Sequence, residues 1–328
     1  MNWEMCGHEW AVNLLAEHVA RGRMRHAYLF TGPQGVGRRT LALRLAQALN
    51  CLEPPAPGAP CLSCRTCKQI DRMEHADLAV VQAEQIGGTL RVDQVRELQR
   101  SLALAPYQAR YRVAILLRFE EANASAMNAL LKTLEEPASQ VVLILTAESA
   151  ENLLPTIVSR CEVLRLRPLP LGQVEQDLQT RWGMPEEQAR LLAHLSGGRP
   201  GYAFRLYQEP ERLALQSSWL DDLSQLLSAK RVDRFAYAEK MAKDKDTCRA
   251  MLSVWLAFWR DVLLKSSGAA APVANLDRQE QIEHLAEQFG MQVAYHVVTV
   301  LDRALALLDC NVNLRLAAET LLLDLPYR

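Results

Sequence analysis

A short apolar run, Tyr28-Leu29-Phe30-Thr31, leads straight into Gly32-Pro33-Gln34-Gly35-Val36-Gly37, and a helix pattern with Leu41, Leu45 and Leu49 leaves it. Strand, glycine loop and helix in that order restrict this part of the chain to an α/β unit whose backbone N–H groups can curl around a phosphate. A working loop continues with Lys, which reaches the β- and γ-phosphates, and then Ser or Thr, whose hydroxyl holds Mg²⁺. Arg38 and Arg39 stand in those places. Arg38 keeps a positive charge, but its planar fork is a poor substitute for a compact ammonium inside a tight loop. Arg39 has no hydroxyl, and Thr40 comes one residue late, which turns its side chain by about 100°. The glycines Gly32, Gly35 and Gly37 thus form a degenerate phosphate loop, and no ATP turnover is expected from it. Anion binding is a separate matter, since a helix N-terminus attracts anions without any lysine.

Three more β-rich runs follow at 78–81, 113–117 and 141–145, each with little polar alternation, as expected for strands covered on both faces. Helical patterns lie between them. The clearest has Met127, Leu130, Leu131 and Leu134 on one stripe and stops at Pro137. Strands alternating with helices predict a parallel α/β sheet with its site at the carboxyl ends of the strands. The pattern changes at Arg167-Pro168-Leu169-Pro170, an extended linker. A small helical stretch then runs to about Leu206, and beyond Glu209-Pro210 the chain is helical in pattern except for a soft break at 266–272. The last helix carries Leu314, Ala317, Ala318, Leu321, Leu322 and Leu325 on one face, with Leu316 and Leu323 off it. Either internal packing on two sides or a subunit interface accounts for so wide an apolar surface.

Four of the eight cysteines cluster as Cys51, Cys61, Cys64 and Cys67, the last three at two-residue spacing. Thiolates so spaced converge on one tetrahedral ion, and four of them close the shell of a structural zinc, leaving no open position for catalysis. An iron–sulfur cluster is the rival, but a ferredoxin-type run needs a fourth Cys where Asp71 stands. Cys6, Cys161, Cys248 and Cys310 read as buried thiols. The net charge of -1 gives no global attraction to nucleic acid. No apolar run approaches the ~20 residues of a membrane span, and residues 1–10 lack the basic leader of a secretion signal. A cytoplasmic protein is expected.

Phosphoryl-transfer sites of this type hold Mg²⁺ with an Asp at a strand end, beside a Glu that positions water. The run at 113–117 is followed by Arg118-Phe119-Glu120-Glu121, so the acids come three residues late; a solvated pair opening the next helix is the simpler reading. Ser159-Arg160-Cys161 lies beyond the fourth strand, and there Arg160 could merely cap a helix C-terminus.

Together these strings resemble the delta prime subunits of bacterial DNA polymerase III clamp loaders, a family of AAA+ proteins. The resemblance is strongest in residues 26–32, in the cysteine insert, in Asn128-Ala129-Leu130-Leu131-Lys132-Thr133-Leu134-Glu135-Glu136-Pro137 and in Ser159-Arg160-Cys161. It implies an AAA+ nucleotide-binding-like domain over residues 1–167 with a zinc module at 51–67. A helical lid over 168–207 and an all-α collar over 208–328, through which subunits oligomerise, would follow. It also implies that Arg160 is an arginine finger acting in trans on ATP bound by a neighbouring subunit, where such a group can matter by orders of magnitude. The ATP-hydrolysing gamma/tau relatives carry an intact loop and an Asp-Glu pair. In this chain those acid positions fall on Leu117 and Arg118, and the sensor arginine falls near Gly201, with Arg199 close by. The implied partners are gamma/tau and delta, with the sliding clamp and primed DNA met through the complex and ATP held only on neighbouring subunits. Two other readings are an active ATPase in which Arg38 does the lysine's work and a zinc-dependent nucleic-acid-binding protein. The balanced charge and the absence of an aromatic-basic stripe speak against the latter.

Overall fold

All four apolar runs are strands, and burial explains their composition. In the computed structural model, which describes residues 3–85, 87–308 and 312–327, the first unit runs α1 Glu9–Ala20, β1 Ala27–Thr31, α2 Arg38–Asn50, α3 Arg65–Asp71, β2 Leu78–Val81 and α4 Val92–Leu102. It continues with β3 Arg112–Leu116, α5 Ala124–Glu135, β4 Val141–Ala147, α6 Pro155–Val158 and β5 Glu162–Arg165. The five strands are all parallel, in the order β2-β3-β4-β1-β5. Tyr28, Phe30, Val113, Ile115, Val142 and Ile144 pack on one side with α1 and α2 through Leu15, Leu41 and Leu45. The alternate residues Leu29, Ala114, Leu116, Leu143 and Leu145 pack on the other with Leu98, Leu130 and Ile157. With both faces covered, neither strand register needs a polar position. β5 is a strand the sequence reading missed. It lies at the sheet edge, pairs only with β1, and its outer residues Glu162 and Arg165 carry charge.

α5 shows how local chemistry sets an element's ends. The Asn123 side chain accepts the Ala126 N–H at 2.8 Å, an N-cap, and Pro137 stands two residues past the last helical turn. The loop before β3 is fixed by a buried acid. Asp77, 1 % exposed, accepts the N–H groups of Tyr107, Gln108 and Ala109 at 2.7, 2.8 and 2.9 Å.

By contacts the chain forms two compact units: residues 1–177 with 198–202, and residues 178–197 with 203–328. Helices α7 Leu171–Trp182 and α9 Pro200–Gln208 contribute to both, and α8 Glu186–Leu195 belongs to the second. The second unit is all helical, with α10 Pro210–Ser228, α11 Arg231–Met241, α12 Lys245–Ser266, α13 Gln279–Leu308 and α14 Leu314–Asp324. Trp255 and Trp259 sit at its centre, and the Trp255 indole N–H donates to the Trp219 carbonyl at 2.8 Å. The soft break expected at 266–272 separates α12 from α13. A second break was not foreseen: α13 is kinked at Gly290, whose φ of 70° and ψ of 176° are non-helical. Against the expectation that no apolar stretch is long enough to span a membrane, 276–308 is long and apolar enough on length and composition alone. It buries Ile282, Leu285, Val297 and Leu301 in the helical core instead. In α14 the inner face is buried at Ala318, Leu321 and Leu322, whereas Leu316 and Leu323 are exposed within this chain.

Asp77 offers a test of the loop analysis. Burial opposes its charged form, yet three backbone N–H groups overrule burial and hold its pKa below the ordinary aspartate value. Asp77→Ala should cost about 1–3 kcal/mol in chemical denaturation by leaving those donors unpaired. Because the folded pKa is depressed, the wild-type contribution is fully present above the ordinary aspartate range. It is lost as pH falls through the folded value, so the gap between wild type and variant should narrow in acid.

Candidate functional site

The phosphate loop leaves β1 at a point where only glycine fits. Gly32 has φ +145°, and a Cβ there would lie 2.3 Å from the Leu166 carbonyl oxygen. Its N–H donates to the carbonyls of Ala147 and Glu148 at 3.2 and 3.1 Å. Gly37, at φ +114°, starts α2. The loop is clasped from two sides. His8 is buried, and burial lowers its pKa, so the neutral ring donates its Nε2–H to the Val36 carbonyl at 3.0 Å. The Gly201 N–H donates to the Gly35 carbonyl at 2.9 Å, and a Cβ on Gly35 would lie 2.7 Å from the Tyr202 nitrogen. The turn expected to carry the sensor region therefore meets the loop directly. Arg199 lies over the Tyr202 ring, its guanidinium carbon 4.6 Å from the ring centroid. Burial lowers its pKa, and Tyr202 and Glu148 oppose that shift.

The two arginines that replace Lys and Ser/Thr have different fates. Arg38 is 7 % exposed, with Nη1 3.9 Å from Glu120 Oε1. Burial lowers its pKa, and the Glu120 charge is the largest effect in the other direction. Arg39 and Thr40 are exposed, and Arg39 reaches only the Met73 sulfur at 3.5 Å. Neither supplies a group to the loop.

The acids after β3 are not the solvated, helix-opening pair that the sequence suggested. Phe119 is fully buried and draws the 3-10 turn Phe119–Glu121 against the sheet, which carries both carboxylates inward. Glu120 accepts the Glu148 N–H at 3.2 Å beside Arg38, and burial raises its pKa. Glu121 accepts the Arg118 Nε–H at 2.8 Å and the Gly87 N–H at 2.9 Å. Leu117, where a magnesium-binding Asp would be counted, is 5 % exposed. Arg118 follows in a left-handed conformation, its N–H donating to Thr146 Oγ1 at 2.9 Å. Both acids are thus spent on internal arginines. The signal available in sequence was Phe119, an aromatic that forces its neighbours inward.

The four cysteines converge as their spacing demands. Cys51 ends α2 and Cys64 caps α3, and the four Sγ atoms lie within 4.8 Å of one another. Cys61 Sγ and Cys67 Sγ are 4.0 Å apart, close to the roughly 3.8 Å edge of a tetrahedron with 2.3 Å metal–sulfur bonds. Backbone N–H groups reach two of the sulfurs: Cys61 donates to Cys51 Sγ and Cys64 to Cys61 Sγ, both at 3.3 Å, although burial still pushes the Cys51 and Cys67 thiols up. At Cys61 burial opposes the thiolate, but the N–H groups of Cys64 and Ser63 prevail and bring its pKa to about 6. The donor set fits a tetrahedral metal ion with four sulfur ligands. Of the other cysteines, Cys248 is buried as expected, Cys6 and Cys161 are only half-buried, and Cys310 lies outside the described residues.

Arg160 follows α6. Its Nη2 lies 2.7 Å from Glu135 Oε1, and its Nη1 donates to the Thr156 carbonyl at 2.9 Å, with a longer contact to Ser159 Oγ at 3.5 Å. The side chain is 36 % exposed. The capping contact anticipated from sequence is present, joined by an ion pair to the string at 128–137.

The Arg38–Glu120 pair can be tested directly. Glu120→Gln should destabilise the protein by up to about 3 kcal/mol, because it leaves a buried guanidinium without a counter-charge. The double variant Arg38→Met with Glu120→Leu should recover most of that loss, since apolar residues replace a buried pair at little cost. Equilibrium denaturation of the three proteins measures both.

A family model described as "DNA polymerase III, delta subunit" matches residues 7–170. DNA polymerase III subunit delta' of Bacillus subtilis is 30 % identical over 318 residues, 96 % of this chain and 94 % of that one. The delta' subunit of Pseudomonas aeruginosa is 38 % identical over 206 residues, so the match spans 62 % of each chain. The tau subunit of Escherichia coli is 34 % identical over 176 residues, 54 % of this chain and 27 % of tau. Loop, cysteine cluster and full-length similarity agree: this chain belongs to the clamp-loader delta' subunit family of DNA polymerase III.

Proposed function

We propose that this chain is a non-hydrolysing subunit of the DNA polymerase III clamp loader, a structural partner in loading the sliding clamp at primed DNA. The observation that carries this reading is the state of the phosphate loop. Arg38 is buried against Glu120, and Leu117 and Arg118 stand where Mg²⁺-binding acids belong. Phosphoryl transfer needs a cation on the phosphates, a hydroxyl and an acid on Mg²⁺ and a positioned water. The loop has no Lys and no hydroxyl in the places that chemistry requires, and Arg38 lies beside Glu120. The same facts disfavour the active-ATPase reading, because an Arg38 drawn to an internal carboxylate does not do the lysine's work.

The chain's chemical contribution is then Arg160, donated as an arginine finger to ATP on a neighbouring gamma/tau subunit, where a guanidinium stabilises charge growing on the transferred phosphoryl group. Residues 168–207 act as a lid, and residues 208–328 as the collar that joins gamma/tau and delta in a cytoplasmic complex. The exposed Leu316 and Leu323 are consistent with such a collar. The Cys51, Cys61, Cys64 and Cys67 cluster holds a structural zinc, which stabilises the insert by coupling metal binding to local folding.

Two experiments test this reading. The isolated chain should hydrolyse no ATP above background, whereas Arg160→Ala in the reconstituted complex should slow the adjoining site by about 10²-fold or more without changing assembly. Steady turnover by the wild-type chain alone, abolished by Arg38→Ala, would reverse the assignment. Protein purified without added metal should contain about one zinc per chain, and Cys64→Ser should lose both the metal and protease resistance at 51–67. An iron–sulfur absorbance band would sink the zinc assignment.

A further inference from the structure

Glu135 sits where stability alone would not put an acid. It is the last residue of α5, followed by Glu136, and a helix C-terminus carries partial negative charge that disfavours carboxylates. The Glu135 carboxylate has one ion-pair partner among the described residues, Arg160, at 2.7 Å. Both side chains are substantially exposed, 51 % for Glu135 and 36 % for Arg160, and exposed pairs contribute little to folding. The contact fixes geometry instead. A free arginine samples many rotamers, and a guanidinium that must meet a phosphate in one orientation loses rate if it arrives in several. Here one amino group is held by the Glu135 carboxylate and the other by the Thr156 carbonyl, so two elements, α5 and α6, clamp the fork. An arginine has five N–H donors, and this clamp leaves several of them for an external anion.

We propose that Glu135 is the positioning residue for Arg160: it orients the guanidinium for a nucleoside triphosphate held by an adjacent chain, and its weak, exposed pairing lets the more highly charged triphosphate compete for the same cation. This inference rests on the reading of Arg160 as a group acting in trans. It also gives the acid at the end of α5 a role that α5 itself does not supply.

The test uses the reconstituted complex with four forms of this chain: wild type, Arg160→Ala, Glu135→Ala and the double variant, with Glu135→Gln alongside. Glu135→Ala should lower kcat for ATP about three- to tenfold, within the coupling range of a directly contacting pair, with little change in KM. Glu135→Gln, which keeps an acceptor oxygen, should recover part of the rate. On the Arg160→Ala background Glu135→Ala should do nothing further. Thermal melts of the isolated variants should match wild type. If Arg160→Ala leaves the complex's ATPase intact, the trans reading itself fails. If Arg160→Ala slows the complex but Glu135→Ala does not, only the positioning role fails. An equal loss from Glu135→Ala in both backgrounds would assign Glu135 to a task unrelated to Arg160.

Discussion

At Gly32 the exits of three parallel strands come into contact. The Gly32 N–H bonds the carbonyls of Ala147 and Glu148 past β4, the Leu166 N–H past β5 donates to the Thr31 carbonyl at 2.7 Å, and the Leu166 oxygen fills the space a side chain would need. A residue with a Cβ would force these strands apart, and the loop's path follows from that convergence. Glu148 is carried to the loop by the same bond and donates its own N–H to Glu120. Glu120 in turn sets the charge that Arg38 meets. The electrostatics of the loop thus descend from a backbone contact.

The charge pattern around this point is closed within the chain. Arg38 has Glu120, Arg118 has Glu121, and Arg199 has Tyr202 with Glu148 nearby. In a hydrolysing loop the cations are left for phosphate and the acids for Mg²⁺. Here both sets have been turned on each other. Buried pairs of this kind add little net stability over apolar packing, because desolvation offsets their attraction. The pairing is incomplete: Arg38 Nη1 and one carboxylate oxygen each of Glu120 and Glu121 are buried with no hydrogen-bond partner among the described residues.

Much of this was legible in the residues. The three central strands β3, β4 and β1 showed as apolar runs because two helical layers cover the sheet, the edge strand β2 showed as one too, and the cysteine spacing led directly to the cluster in space. The missing Lys, hydroxyl and acid were visible by counting. What escaped was decided by packing between distant segments. β5 is four residues long with Glu162 and Arg165 at its ends, so it lacks the apolar run that marks the other strands. The Gly290 kink lies inside an otherwise continuous helical pattern. Glu120 and Glu121 looked solvated because nothing in sequence shows that Phe119 is pulled under the sheet edge or that Arg38 turns toward it. The pairing of Glu135 with Arg160 joins positions that only the packing of α5 beside α6 brings together.

In a nucleotide-binding protein the start of the helix equivalent to α2 is held by bound phosphate, which satisfies its unpaired N–H groups and its dipole. In this chain α2 is fixed at both ends by protein groups. At its start, His8 and Gly201 hold the loop carbonyls of Val36 and Gly35, and Glu120 supplies the negative charge beside Arg38. At its end, Cys51 belongs to the thiolate cluster, while Gln47 donates to the Cys67 carbonyl at 2.8 Å and Arg44 pairs with Asp71 at 3.1 Å. These contacts hold the loop and the end of α2 through groups of the chain itself. Arg160, by contrast, is held by Glu135 and the Thr156 carbonyl with its side chain 36 % exposed, so its pairing is open to solvent where that of Arg38 is buried.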